Sequence, residues 1–163
     1  MTVTVRPARE ADAAACAAIY APFVSGSTIS FELDPPDAPE MARRIAEYGA
    51  SHAWVIAEAA GAVAGYAYGS PHRTRAAYAS ACDVAIYVDP ACAGQGIGRA
   101  LYGALLPALA GKGYHAAFAG IALPNAASVG LHEATGFTPV GIYREVGWKL
   151  GAWRDVGWWQ RLL

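Results

Sequence analysis

Charge is what this chain has least of. Only 15% of its 163 residues are charged, and 12 basic and 13 acidic side chains nearly cancel to a formal net charge of −1. A general nucleic-acid binder needs a surplus of positive charge, so that class is excluded. No apolar run is long enough to cross a membrane. Cysteine is scarce: Cys16, Cys82 and Cys92 are odd in number and lack metal-ligand spacing. They read as reduced thiols, with no metal site expected. The opening MTVTVRPAREADAAACAAIY lacks the basic-then-apolar order of a secretory leader, so a cytoplasmic location is expected.

Apolar side chains, at 55%, are plentiful, and the length suits one globular domain, residues 1–163. TVTVRPA alternates up to Pro7 and predicts a first strand. READAAACAAIYAPFV predicts a helix with Glu10 and Asp12 in its first turn and Pro22 limiting its end. SGSTISFELDPPDAP is a loop with an unusual polar and aromatic mix, and PEMARRIAEYG a second helix closed by Gly49. AWVIAEAAGAVAGYAYGSP predicts a hairpin around a tight turn, and HRTRAAYASA a polar interruption. CDVAIYVDP is the next strand, stopped at Pro90. A helix over 97–112 follows, which Pro107 should bend or shorten. YHAAFAGIAL is a strand, and NAASVGLHEATGF a short helix capped by Asn125 and ended by Gly136. The last 26 residues predict two long antiparallel strands. The order β-α-α-β-β-β-α-β-α-β-β is that of a single mixed α/β layer structure.

Gly94, Gly96 and Gly98 sit between the strand VAIYV and the following helix. Such a cluster suggests that backbone amides must approach something closely. The spacing is not that of a Walker loop, which needs Lys and Ser or Thr after the last glycine, and it reads G-x-G-x-G rather than the dinucleotide fingerprint G-x-G-x-x-G. Two readings remain open on the residues alone. One is a pyrophosphate held by free amides at the helix N-terminus. The other is a tight strand-to-helix turn.

Gly96-x-Gly98, Asn125 and LHEATGF at 131–137 together resemble the GNAT superfamily of N-acetyltransferases. STISFE, HRTRAAY, LPNAASVGLHEATGF and GWKLGAWRDVGWWQ are more narrowly similar to its phosphinothricin and methionine sulfoximine acetyltransferases. The resemblance spans nearly the whole chain. It implies a mixed, mostly antiparallel central sheet flanked by helices, with acetyl-CoA as cosubstrate and a small amino-acid-like amine as acceptor. It departs at Ala93, where the family pattern has Gln or Arg, and at Asp83, where the subfamily usually has Glu.

The resemblance also assigns roles. Asp83 is the carboxylate base that frees the amine for attack, and His132 is a candidate acid or base beside the leaving thiolate. Ile86, Tyr87 and Val88 would pair with the pantetheine arm as an added strand. The amides of Gly94, Gln95, Gly96, Ile97, Gly98 and Arg99 would hold the pyrophosphate, and Asn125 the pantetheine. Arg73, Arg75 and Tyr78 form a basic and aromatic cluster suited to a carboxylate or phosphinate, and Thr28 and Phe31 would complete that pocket. Cys82, beside Asp83, invites an acetyl-cysteine intermediate, but strand alternation should turn it to the opposite face as a buried apolar residue. Trp148, Trp153, Trp158 and Trp159 exceed what one small core obviously needs, though they could equally be core, and the resemblance implies a homodimer. Two rivals differ in kind: acetylation of a protein N-terminus or polyamine, and a catalytically weak acyl-CoA-binding module.

Overall fold

Strands covered on both faces must be largely apolar, and WVIAEA and AVAGYAYG, with Glu58 as their one charged residue, meet that condition. In the computed structural model, which describes residues 2–163, they form two interior strands of one sheet. Its strands are β1 (Val3–Pro7), β2 (Trp54–Ala59), β3 (Ala62–Pro71), β4 (Ala81–Val88), β5 (Ala116–Leu123), β6 (Thr138–Lys149) and β7 (Ala152–Leu162). Their spatial order is β1-β2-β3-β4-β5-β7-β6. Only β4 and β5 run parallel; every other neighbouring pair is antiparallel.

The helices are α1 (Ala13–Ser25), α2 (Ala38–Ser51), α3 (Ile97–Gly111) and α4 (Ala126–Ala134). Alternation along the strands divides the core in two. Trp54, Ile56 and Tyr66 pack with Cys16, Ile19, Tyr20, Met41 and Ile45 of α1 and α2. Val55, Ala57, Ala67 and Val84 face Leu101, Tyr102, Leu105 and Leu109 of α3. Cys82 has no exposed surface and belongs to the α3 side, as alternation predicts.

Three helix ends differ from expectation, each because tertiary contacts outweigh a local signal. Pro22 does not end α1, which runs to Ser25. Val24 is buried beyond the proline, and Lys149 Nζ donates to the Val24 carbonyl at 2.6 Å. Gly49 does not close α2, because its last carbonyls find side-chain donors: Lys112 Nζ reaches those of Gly49 and Ala50, and Tyr114 Oη that of Ser51. Pro107 does not shorten α3, where Leu105, Leu106 and Leu109 on either side of it are buried.

Glu10 and Asp12 form a separate 3-10 turn before α1 rather than its first turn. Asp12 is only 6% exposed, and Arg6 binds both its oxygens, at 2.7 and 2.8 Å. Arg6 also donates to Glu58, and the Arg9 amide to Asp12, so one cluster ties β1, β2 and the entry to α1. The Arg6 guanidinium holds the Asp12 carboxyl below its usual range. Removing one partner of a buried pair is costly, so Asp12→Asn should lose about 3 kcal/mol of stability in denaturant titrations at pH 7. That contribution is complete above roughly pH 4, the unfolded-state value, and is lost as pH falls through the depressed native one. The variant's disadvantage should therefore shrink towards pH 3.

Candidate active site

Two parallel neighbours that part company leave backbone groups without partners. β4 and β5 pair only at Ala81, Cys82 and Asp83, whereas β4 stays paired with β3 as far as Val88. From Val84 onward the β4 edge that faces β5 is open. A groove of about 670 Å³ occupies this opening, lined by Ile86, Tyr87 and Val88, by the glycine loop and start of α3, and by Asn125 and Leu131. Every residue expected to hold the cofactor lines it except Gln95.

The glycines there do different jobs. Gly94 and Gly96 have φ of +74° and +79°, and a Cβ on either would meet nothing within 4 Å, so backbone conformation, not space, requires them. Gly96 precedes α3, whose first backbone bond runs from Ala100 N to Gly96 O at 3.1 Å. The amides of Ile97, Gly98 and Arg99 thus lack a carbonyl one turn back and border the groove. Gly98 serves packing: a Cβ there would lie 2.8 Å from Leu131 Cδ2. Asn125 Oδ1 accepts from Ser128 N at 3.1 Å, so this residue both caps α4 and faces the groove. An open strand edge, a run of free amides and a helix N-terminus suit a thioester cofactor with an amide-bearing arm and a pyrophosphate.

A second recess of about 580 Å³ lies beyond β4 and shares Ile29 and Tyr87 with the groove. Asp83, the last residue before the strands part, lines it with Tyr20, Phe31, Glu32, Tyr143 and Trp158. Burial pushes the Asp83 carboxyl up, and a hydrogen bond from His72 together with the charge of Arg73 brings it only part of the way back.

The wall of this recess is held by polar contacts that the sequence did not announce. Arg44 grips both oxygens of Glu32 at 2.6 and 2.9 Å, and Tyr20 Oη donates to the same carboxylate. The buried Lys149 Nζ reaches the Ser30 carbonyl at 2.6 Å. The Phe31 ring packs on the β6 backbone at Gly147, where a Cβ would collide with it.

Of the residues expected to bind the acceptor, only Phe31 lines this recess. Thr28 lies in the same loop but not on the wall. β3 ends at Pro71, and residues 73–80 are exposed, so Arg75 and Tyr78 do not line the recess, although the Tyr78 ring stays 5.9 Å from that of His72. Arg73 lines an adjoining shallow recess that shares Tyr143 and Trp158 with the first.

His132 also departs from expectation. Its Nδ1 donates to the Ser128 carbonyl at 2.7 Å and its Nε2 accepts from Tyr102 Oη at 2.6 Å, with both rings buried. Burial pushes its pKa down, so it is a neutral imidazole without a free nitrogen, joining α3 to α4. His72 was overlooked within HRTRAAY. The β3–β4 register, which sets Ser70 opposite Asp83, was the signal that could have found it.

A sheet that opens between two parallel strands over a helix N-terminus, with a half-buried carboxylate where they part, suits transfer of an acyl group from a thioester cofactor. The chain belongs to the GNAT acetyltransferase family: the Acetyltransferase (GNAT) domain matches residues 5–158. Phosphinothricin N-acetyltransferase of Alcaligenes faecalis is 40% identical over 162 residues, covering 98% of this chain and 82% of that protein. The structure of a phosphinothricin acetyltransferase from Sinorhizobium meliloti in complex with acetyl-CoA matches with a TM-score of 0.95 at 36% identity, over 100% of this chain and 89% of that one. An acetyltransferase from Salmonella typhimurium with its cofactor acetyl-CoA matches with a TM-score of 0.96 at 30% identity, covering 100% and 95%.

Removing the Tyr102 hydroxyl leaves His132 Nε2 buried and unpaired. Tyr102→Phe should therefore cost about 1–2 kcal/mol in denaturant unfolding. The pH dependence of the rate should stay in place; a displaced profile would return His132 to the chemistry.

Proposed function

We propose that this chain transfers the acetyl group of acetyl-CoA to the amino group of a small amino-acid-like acceptor. Phosphinothricin, methionine sulfoximine and methionine sulfone are the first candidates. The observation that carries the reading is the position of Asp83, at the junction of the open β4 edge and the second recess. The names of the relatives at about 40% identity support the acceptor class.

The β4 edge at Ile86–Val88 would hold the pantetheine arm, and the amides at the start of α3 the pyrophosphate. Because these contacts are made by backbone, Ala93 in place of Gln or Arg is tolerated. Bound there, acetyl-CoA supplies a thioester as acyl donor. Asp83 takes a proton from the acceptor's ammonium group, exposing the lone pair that attacks. Overall, an ammonium and a thioester become an amide, a free thiol and one released proton. Tyr143 and Trp158 connect this recess to Arg73, which would meet the acceptor's carboxylate or phosphinate at the mouth. The polyamine reading is disfavoured because Glu32, the other carboxylate of the recess, is already neutralised by Arg44.

The enzyme is further read as a cytoplasmic homodimer. The free thiols suit a reducing compartment. Val140, Ile142, Val146, Trp148 and Trp153 are all exposed on β6 and β7, an apolar face suited to a second copy. Sedimentation should then give twice the mass of the 17.0 kDa chain.

The test follows acetyl-CoA-dependent thiol release with the three candidates, spermidine and a Ser-Ala peptide. Turnover should be confined to the first three. Asp83→Asn should lower kcat/KM by about 100-fold or more without weakening acetyl-CoA binding. Turnover that survives the substitution removes Asp83 from the mechanism. Silence on every amine, with acetyl-CoA still bound, leaves a binding module.

A further inference from the structure

We propose that His72 is a positioning residue for Asp83, a role that rests on Asp83 being the base. Its Nδ1 lies 2.5 Å from Asp83 Oδ1. An ionised carboxylate only accepts, so the imidazole donates. The ring is clamped between aromatic surfaces. It stacks on Phe118 of β5, with centroids 4.4 Å apart and 18° between planes, and stands edge-on to Trp158 of β7 at 6.1 Å and to Tyr78 at 5.9 Å. Such a ring cannot swing away, and it fixes the carboxylate it holds.

The short side chain of Asp83 makes this matter. With Oδ1 taken by His72, Oδ2 is the oxygen left to receive the acceptor's proton. That proton moves from the ammonium nitrogen to Oδ2, while His72 keeps its Nδ1 hydrogen, and no proton crosses the pair. Donation from His72 favours the ionised carboxylate, against burial, which favours the neutral one. The other ionisable groups around the pair are few. Arg73 and Tyr78 come from the segment after β3, Tyr87 from β4, Tyr143 from β6, and Tyr20 and Glu32 lie across the recess, while the Cys82 thiol points to the opposite face. From β5 and β7 the pair meets only Phe118 and Trp158.

The test compares His72→Phe, which keeps a stacking ring but no donor, with His72→Asn, which returns an N–H near the place of Nδ1. Thiol release with phosphinothricin at saturating acetyl-CoA is followed across pH. In His72→Phe, the acidic limb should move up by about one unit, which on that limb lowers kcat/KM about tenfold. His72→Asn should recover most of the rate and the limb, and KM for acetyl-CoA should not change in either. An unmoved limb in His72→Phe, or equal impairment in both variants, overturns the role and leaves His72 as packing. Asp83→Asn turning over at the wild-type rate would overturn the base itself, a separate failure. Proton NMR of the wild type tests the contact without relying on the folding of either His72 variant. A downfield imidazole Nδ1–H resonance, lost in Asp83→Asn, is expected, and its absence overturns the inference.

Discussion

The separation of β4 from β5 after Asp83 is the constraint on which the rest of this structure depends. Backbone donors and acceptors are ordinarily satisfied within the sheet, and here a run of them is left open between two strands whose ends are pinned. On one side β4 is locked to β3 through Val88; on the other β5 is paired with β7 along its whole length, Ala116 to Leu123. Neither strand can drift back to close the gap. The opening is thus a fixed feature of the topology, and it creates both the groove and, at its apex, the place where a carboxylate can face a second recess.

Around that opening the chain spends buried polar groups to hold walls in place. Lys149 has its ammonium buried against the carbonyls of Val24 and Ser30. Burial pushes its pKa down, but two carbonyl partners answer the desolvation. Through it the β6–β7 hairpin holds the end of α1 and the loop that presents Phe31. The Tyr20–Glu32–Arg44 network fastens the same loop to α2 from the other side. A loop with this many tertiary contacts is part of the scaffold, which suits a recess that must keep its shape around a small molecule.

The element order was legible because each strand and helix carries its own periodic signal, and the hairpin turn at Ala60–Gly61 has the positive φ angles such turns need. The groove along the open β4 edge was legible for a related reason. It is built from backbone, so the positions of glycines and of one strand edge nearly suffice to describe it. Helix ends were misread wherever a distant donor, Lys149 or Lys112, replaced the local stop signal. The acceptor recess was the least legible part. Its walls come from α1, the following loop, β3, β4, β5, β6 and β7, and no short stretch of sequence contains that arrangement. Arg75 and Tyr78 looked plausible as residue types, but their direction depends on where β3 ends, and that of Thr28 on the path of the loop after α1.

This contrast bears on how the two sites tolerate change. A backbone-built groove depends little on which side chains line it, Ala93 included. A recess built from side chains has no such latitude, and the placement of the short Asp83 side chain depends on its neighbours. The neighbour has to be a donor, because burial favours the neutral carboxyl and a hydrogen bond to the carboxylate favours the ionised one. It also has to be rigid, since a shorter side chain gains nothing from a partner that wanders. His72, flanked by Phe118, Trp158 and Tyr78 and bonded to Asp83, meets both requirements. In the proposed mechanism the pair therefore acts as one unit, in which the carboxylate supplies basicity and the imidazole its placement.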